Sequence, residues 1–140
     1  PLDAQMGQFR LAKPSRGGKP PGAAAAAATV DAEIMKAPVV IFVKSYSPSC
    51  RRVLKVLREA GLAIGDPRLH VVALEDREDQ NALQQDLFTR TGSSKLPRAF
   101  FANGEDYDAD QLEALAAAGS SQIEAQVMEA KLQYERRHPQ

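Results

Sequence analysis

The residues of this chain that could do covalent chemistry are few, and the most suggestive of them stand together in Ser47-Pro48-Ser49-Cys50. Cys50 is the one cysteine in 140 residues, so it closes no internal disulfide, and the fold neither depends on an oxidising compartment nor excludes one. A thiol does chemistry only where it is exposed and has thiolate character; buried among apolar neighbours it is a small inert residue. Both readings are open for Cys50. Ser47 offers a hydroxyl, a weak nucleophile unless a general base stands beside it. The two histidines are His70, expected on a strand, and His138, close to the last residue, and neither has a spacing that joins it to Ser47 and an acid. A Ser-His-acid hydrolase is not predicted.

The totals limit what surrounds these residues. The length fits one domain, and a hydrophobic content of 44% is enough for one modest core. Eighteen basic and eighteen acidic residues cancel, which removes any global field that would gather nucleic acid or an anionic membrane. The longest apolar run, Ala37 to Val43, has the length of a buried strand and not of the roughly 20 residues that cross a bilayer. No transmembrane segment and no nucleic-acid partner are predicted, while peripheral association with a membrane stays open.

The elements that must position the candidate residues begin after a distinctive arm. Residues 1–28 mix helix breakers with an alanine run and cannot build a core alone. Arg10, Lys13, Arg16 and Lys19 face only Asp3 in charge, a basic, alanine-rich composition like that around an organelle transit-peptide junction, so an organelle is the expected location, chloroplast or mitochondrion, with the cytoplasm as the alternative. Pro1 in place of methionine fits a processed precursor and a shortened chain equally. A free arm of this kind is disordered; an ordered one needs a holder, either the protein's own surface or, as expected here, a neighbouring subunit.

From Thr29 the pattern becomes periodic. Thr29 to Lys36 reads as a short helix capped by Thr29 or Asp31 and ended by Pro38. Val39 to Val43 is a strand buried on both faces. Pro48 opens a helix whose stripe is Val53, Leu54, Val56, Leu57 and Ala60 before Gly61. Leu69 to Leu74 is a second buried strand, and Asp79 to Thr91 a helix with Leu83, Leu87 and Phe88 inward and Gly92 as its C-terminal cap. Arg98 to Ala102 enters a tight Asn103-Gly104 turn whose partner strand is Glu105 to Tyr107, and a helix over Asp110 to Ala118 follows. The order β-α-β-α-β-β-α, with a crossover between the first two strands, predicts a small α/β sandwich.

Over roughly Ile34 to Ala118 this order and several local strings together resemble the glutaredoxin family. Lys44 to Cys50, KSYSPSC, is similar to the family's K-S-Y-C-P-Y-C; Arg77, Glu78, Asp79, Gln84, Leu87, Thr91 and Gly92 fall in register with a second family segment; Pro97 stands where the family places a cis-proline; and AFFANG resembles V-F-I-N-G. The resemblance implies a thioredoxin-like three-layer α/β sandwich with a small four-stranded mixed sheet over residues 29–118, preceded by the arm of residues 1–28 and followed by a helical extension over residues 119–140. It also implies that the attacking cysteine is replaced by Ser47 and that Cys50 holds the resolving position. A dithiol exchange enzyme is then not expected, nor an iron-sulfur cluster or other metal, since the cluster-binding members ligate through the first cysteine. For glutathione, the resemblance implies Lys44 as carboxylate clamp and Leu96 with Pro97 as backbone edge. Against it stand Ser93 and Ser94, where the family has long polar side chains, and Asp108 in a segment that lacks the family's paired glycines.

In the extension, Ile123, Val127, Ala130 and Tyr134 recur at helical spacing with Met128 and Leu132 on the next stripe, which fits a helix packed on its own domain and a docking helix alike. The resulting expectation is a catalytically degenerate glutaredoxin-like domain without a resident cofactor. It would serve as a structural or interaction subunit of a larger organellar complex and meet other protein subunits through the arm and the last helix. The alternative is a monothiol redox or glutathione-binding protein that uses Cys50.

Overall fold

The computed structural model describes residues 22–138. The chain order is α1 (Ala23–Ile34), β1 (Val39–Val43), α2 (Pro48–Glu59), β2 (Leu69–Ala73), a short 3-10 turn (Leu74–Asp76), α3 (Gln80–Thr91), β3 (Arg98–Phe101), β4 (Asp106–Tyr107), α4 (Ala109–Ala117) and α5 (Ser120–Arg137). The four strands form one sheet in the order β2-β1-β3-β4. β1 pairs parallel with β2, antiparallel with β3, and β3 antiparallel with β4, so the sheet is mixed as expected.

Successive side chains of a strand point to opposite faces, and β1 shows what that requires when both faces are dry. Val39, Ile41 and Val43 point into a core shared with α2, α4 and α5, where Val53, Leu57, Leu112, Ile123 and Val127 meet them. Val40 and Phe42 point the other way, into a second core closed by Ala26 and Val30 of α1 and Leu83 and Leu87 of α3. Helices on both faces of one sheet give the three layers. Gly92 ends α3 at φ +79, a conformation glycine adopts without the penalty a Cβ would bring. At the hairpin, Gly104 has φ +95 and the Asn103 side chain accepts the Glu105 N–H at 3.2 Å.

Several expectations need correction. The first helix does not start at Thr29; it starts at Ala23 and absorbs the alanine run, because alanine has the highest helix propensity and the run needs no cap of its own. Thr29 lies within the helix and donates its hydroxyl to the Ala25 carbonyl at 3.0 Å. The boundary drawn at residue 28 therefore cuts a helix, and the expectation of a held arm, over residues 1–21, lies outside the described residues. Phe88 was expected inward and is 48% exposed: Leu83 and Leu87 already fill the face toward the sheet, and the next residue turns away from it. β2 ends at Ala73 and not Leu74, whose side chain stays buried in the tight turn that follows. The fourth helix begins at Ala109, because Asp108 caps it: the Asp108 carboxylate accepts the Gln111 N–H at 2.9 Å while the Gln111 side chain accepts the Asp108 N–H at 2.9 Å.

The extension packs on its own domain. Ile123, Val127 and Ala130 of α5 are buried in the core of α2 and α4, Gln126 accepts a hydrogen bond from the Asn103 side chain at 2.9 Å, and the Tyr134 hydroxyl donates to the Lys36 carbonyl at 3.2 Å. Met128 and Leu132 face outward, 56% and 46% exposed. Replacing Ile123 by alanine is expected to cost about 2–5 kcal/mol in chemical denaturation of the full chain, whereas Met128→Ala stays within about 0.5 kcal/mol. Equal and small effects of the two would show that α5 adds nothing to the core.

Candidate functional site

The site begins where β1 runs out of core. After Val43 the chain turns through Lys44, Ser45 and Tyr46, and the Ser47 N–H donates back to the Lys44 carbonyl at 2.9 Å. Pro48 then opens α2 at a position whose N–H would be unpaired in any case. Ser47 is the residue that caps α2, with extended backbone (φ −77, ψ 130), yet its hydroxyl makes no capping bond and its side chain is half-buried. Two contacts hold the turn from outside. The Ser45 N–H donates to both oxygens of Glu75 at 3.2 Å, and the Arg51 guanidinium donates to the Tyr46 carbonyl at 3.0 Å. Glu75 stays below the usual carboxylate range, chiefly through its hydrogen bonding with Ser45 and then its own backbone amide, with the charge of Lys44 adding to the effect. The turn is thus anchored to the end of β2 by an ionised carboxylate.

Cys50, in the first turn of α2, has no exposed surface. It packs among Val53, Leu57 and the inward residues of β1, and its Sγ accepts the Lys44 N–H at 3.4 Å. A sulfur so placed satisfies a backbone donor and fills space; attack on an outside reagent needs an opening of the helix start.

Next to this turn lies a cleft of about 270 Å³ between Ser49 of α2, Lys95 and Leu96 of the loop before β3, and Asp108, Ala109 and Asp110 at the start of α4. The Leu96–Pro97 peptide bond is cis, as the family resemblance implied. The loop that presents it is tied locally, with the Ser93 hydroxyl accepting the Lys95 N–H at 3.1 Å. The cleft wall carries one cation and two carboxylates, and Asp108 spends part of its charge on the start of α4.

The structure therefore brings Ser47, Leu96 and Pro97 to one end of the sheet, places Leu96 on the cleft, and sets Lys44 beside Glu75 and not on the cleft wall. Neither histidine serves Ser47. His70 lies three residues back along β2 from Ala73 and shares a 2.7 Å hydrogen bond with Glu33 of α1, and His138 stacks on Tyr134 with ring centres 4.2 Å apart. Among the described residues, no group of three His, Cys, Asp or Glu side chains could hold a metal ion, and no helix is long and apolar enough to cross a membrane.

Sequence reasoning missed Glu75, Ser49 and Lys95. Glu75 gave a faint signal as an acidic residue at the end of a strand, but its partner is 30 positions away. Arg77 and Asp79, singled out only by resemblance, form an ion pair at 2.9 Å, and the Arg77 guanidinium also approaches Glu33 at 3.6 Å. Their role is to fasten the link between β2 and α3 to α1.

No family model matches the chain. A curated relative, "Glutaredoxin-C8" of Oryza sativa subsp. japonica, is 37% identical over 79 residues, which is 56% of this chain and 56% of the rice protein. The chain thus spans little more than half the length of that relative. Among solved structures, oxidized glutaredoxin 2 from Chlamydomonas reinhardtii aligns at a TM-score of 0.65 with 30% identity over 78% of this chain and 96% of that one. Wheat glutaredoxin aligns at 0.65 with 30% identity, over 76% and 93% of the two chains. The buckwheat glutaredoxin-glutathione complex, at 0.69 and 22% identity over 81% and 96%, shares the fold. With nearly the whole of two glutaredoxins covered at that identity, this chain belongs to the glutaredoxin family.

Proposed function

We propose that this protein is a glutaredoxin-fold domain that binds and does not exchange thiols, acting as an interaction subunit of a larger, organellar protein assembly. The observation that carries this reading is the state of the two candidate nucleophiles. Ser47 stands half-buried at the start of α2 with neither histidine placed to serve it, and Cys50, the one cysteine, is 0% exposed with its Sγ accepting a backbone N–H. A turn that keeps its shape while presenting oxygen in place of sulfur suits recognition better than exchange. The outward stripe of Met128 and Leu132 on α5 supports contact with another protein, and the basic, acid-poor composition of residues 1–28 supports an organellar setting.

A second reading, weak glutathione binding, is favoured by the cleft that Leu96 lines with Lys95 on its wall. The carboxylates of Asp108 and Asp110 on the same wall weaken it, since glutathione is an anion at neutral pH.

Native Cys50 is expected to resist alkylation at neutral pH and to react fully once the chain is unfolded, while Ser47→Cys adds one thiol that reacts in the folded state. A native protein that is alkylated at once, or that reduces a mixed disulfide at a rate typical of glutaredoxins, would sink the first reading. On gradient fractionation of a gentle extract, the endogenous protein should travel with a particle far larger than the free chain; recovery only as a free monomer would count against subunit membership. Glutathione at millimolar concentration, followed through backbone amide resonances, separates the second reading. If it holds, Leu96 shifts and Asp110→Asn tightens binding by about two- to fivefold, an advantage that added salt erodes. No perturbation at Leu96 would end it.

A further inference from the structure

The tight turn between β3 and β4 puts a chemically labile pair at the edge of the sheet. The Phe101 N–H donates to the Glu105 carbonyl at 2.8 Å, which closes a loop of Ala102, Asn103 and Gly104, and the Gly104 N–H donates back to the Phe101 carbonyl at 3.0 Å. Gly104 takes φ +95, which glycine adopts without the strain a side chain brings, so the reversal of β3 calls for a glycine directly after Asn103. That pairing is the one most open to ring closure, because glycine has no Cβ to keep the asparagine carboxamide away from the next backbone nitrogen.

Ring closure makes definite demands. The Gly104 nitrogen, once its proton has gone to hydroxide or a buffer base, attacks Cγ of Asn103; the N–Cγ bond forms, the Cγ–Nδ2 bond breaks, and ammonia leaves with a proton from water. Water then opens the cyclic imide at either carbonyl, giving aspartate or, with the main chain rerouted through Cβ, isoaspartate. Nothing is oxidised or reduced. To react, the carboxamide has to swing round and the Gly104 nitrogen has to give up its hydrogen bond. In the folded chain every group concerned is engaged. The Gly104 N–H is held by Phe101, the Glu105 N–H donates to Asn103 Oδ1 at 3.2 Å, and Asn103 Nδ2 donates to Oε1 of Gln126 at 2.9 Å. The first two contacts are local to the turn, whereas the third comes from α5, 23 positions away, and exists only while that helix lies on the domain.

We propose that Asn103-Gly104 is a deamidation site and that Gln126 of α5 guards it, so that the pair ages by loss of ammonia when α5 loosens its hold on the turn. Asn103 is half-buried, with exposed Gly104 and Glu105 beside it, so water and base reach the pair. Conversion sets a carboxylate next to Glu105 and Asp106, and the iso form lengthens a loop that has to close between Phe101 and Glu105. β4 is two residues long and depends on that closure, and Asp108, which caps α4 and lines the cleft, follows it directly.

Incubation of the full chain in mildly alkaline buffer, with peptide mapping by mass spectrometry that separates aspartyl from isoaspartyl forms, tests the site. Asn81, followed by Ala82 within α3, is the internal reference. Asn103 is expected to deamidate more slowly in the native chain than in the chain unfolded by urea. Gln126→Ala should raise the native rate at Asn103 about three- to tenfold, the range that one lost hydrogen bond supports, and leave Asn81 unchanged. Gln126→Glu keeps an acceptor oxygen and should stay near the parent rate. Equal rates in native and unfolded chains, or no acceleration by Gln126→Ala, would overturn the proposal. So would acceleration by Gln126→Glu as large as by Gln126→Ala, or acceleration matched by faster amide exchange throughout β1, since either would make general loosening the cause.

Discussion

Five consecutive residues that water does not reach set the plan of this molecule. Val39 to Val43 are all fully buried, and a strand dry on both faces must have helices above and below it and a strand on either side. That requirement fixes the parallel pairing with β2, the antiparallel pairing with β3, and the division of the helices into α1 with α3 on one face and α2, α4 and α5 on the other. The parallel neighbour in turn demands a crossover, and α2 is that crossover. The start of α2 is therefore placed by burial at the end of β1, and with it Ser47 and Cys50.

The same turn of chain treats those two residues differently. Ser47 makes no capping bond with its hydroxyl and is half-buried, so the start of α2 does not draw on that oxygen for its cap. Cys50 lies in the core and accepts the Lys44 N–H, so its sulfur contributes packing and satisfies a donor that burial would otherwise leave unpaired. Two positions three residues apart thus play different parts, Cys50 in the core and Ser47 at its margin. Glu75 reinforces this from outside, since an ionised carboxylate bonded to Ser45 keeps the turn in shape whatever occupies position 47.

What the sequence disclosed follows the range of the forces involved. β1 announced itself through an unbroken apolar run, α2 through Pro48 and its stripe, and the hairpin through Asn103-Gly104, because each depends on neighbours within a few residues. Pro97 was legible by resemblance, and Leu96 with it. The alanine run misled for a physical reason: flanking breakers set it in the arm of residues 1–28, whereas alanine's propensity and the burial of Ala26 and Val30 against α3 made a helix. Phe88 misled because a helical stripe has a width that only the partner surface settles. The long-range anchors, Glu75 to Ser45 at the site turn and Glu33 to His70 between α1 and β2, join residues 30 and 37 positions apart, and no local pattern encodes such pairs.

The last helix shows how tertiary context resolves an ambiguity that periodicity leaves open. From its sequence α5 fits a helix packed on its own domain and a docking helix alike. The stripe that faces the domain is Ile123, Val127 and Ala130 with Tyr134 packed beside them, and Met128 and Leu132 stay outside. Having approached, α5 also reaches the hairpin turn through Gln126 and Asn103, and the link between α1 and β1 through Tyr134. β4 is only two residues long and forms the sheet's edge, so a support at its turn matters more than it would for a longer strand. The extension is for that reason part of the fold's mechanics, and any contact it makes with another protein has to use the one stripe that the domain leaves outside.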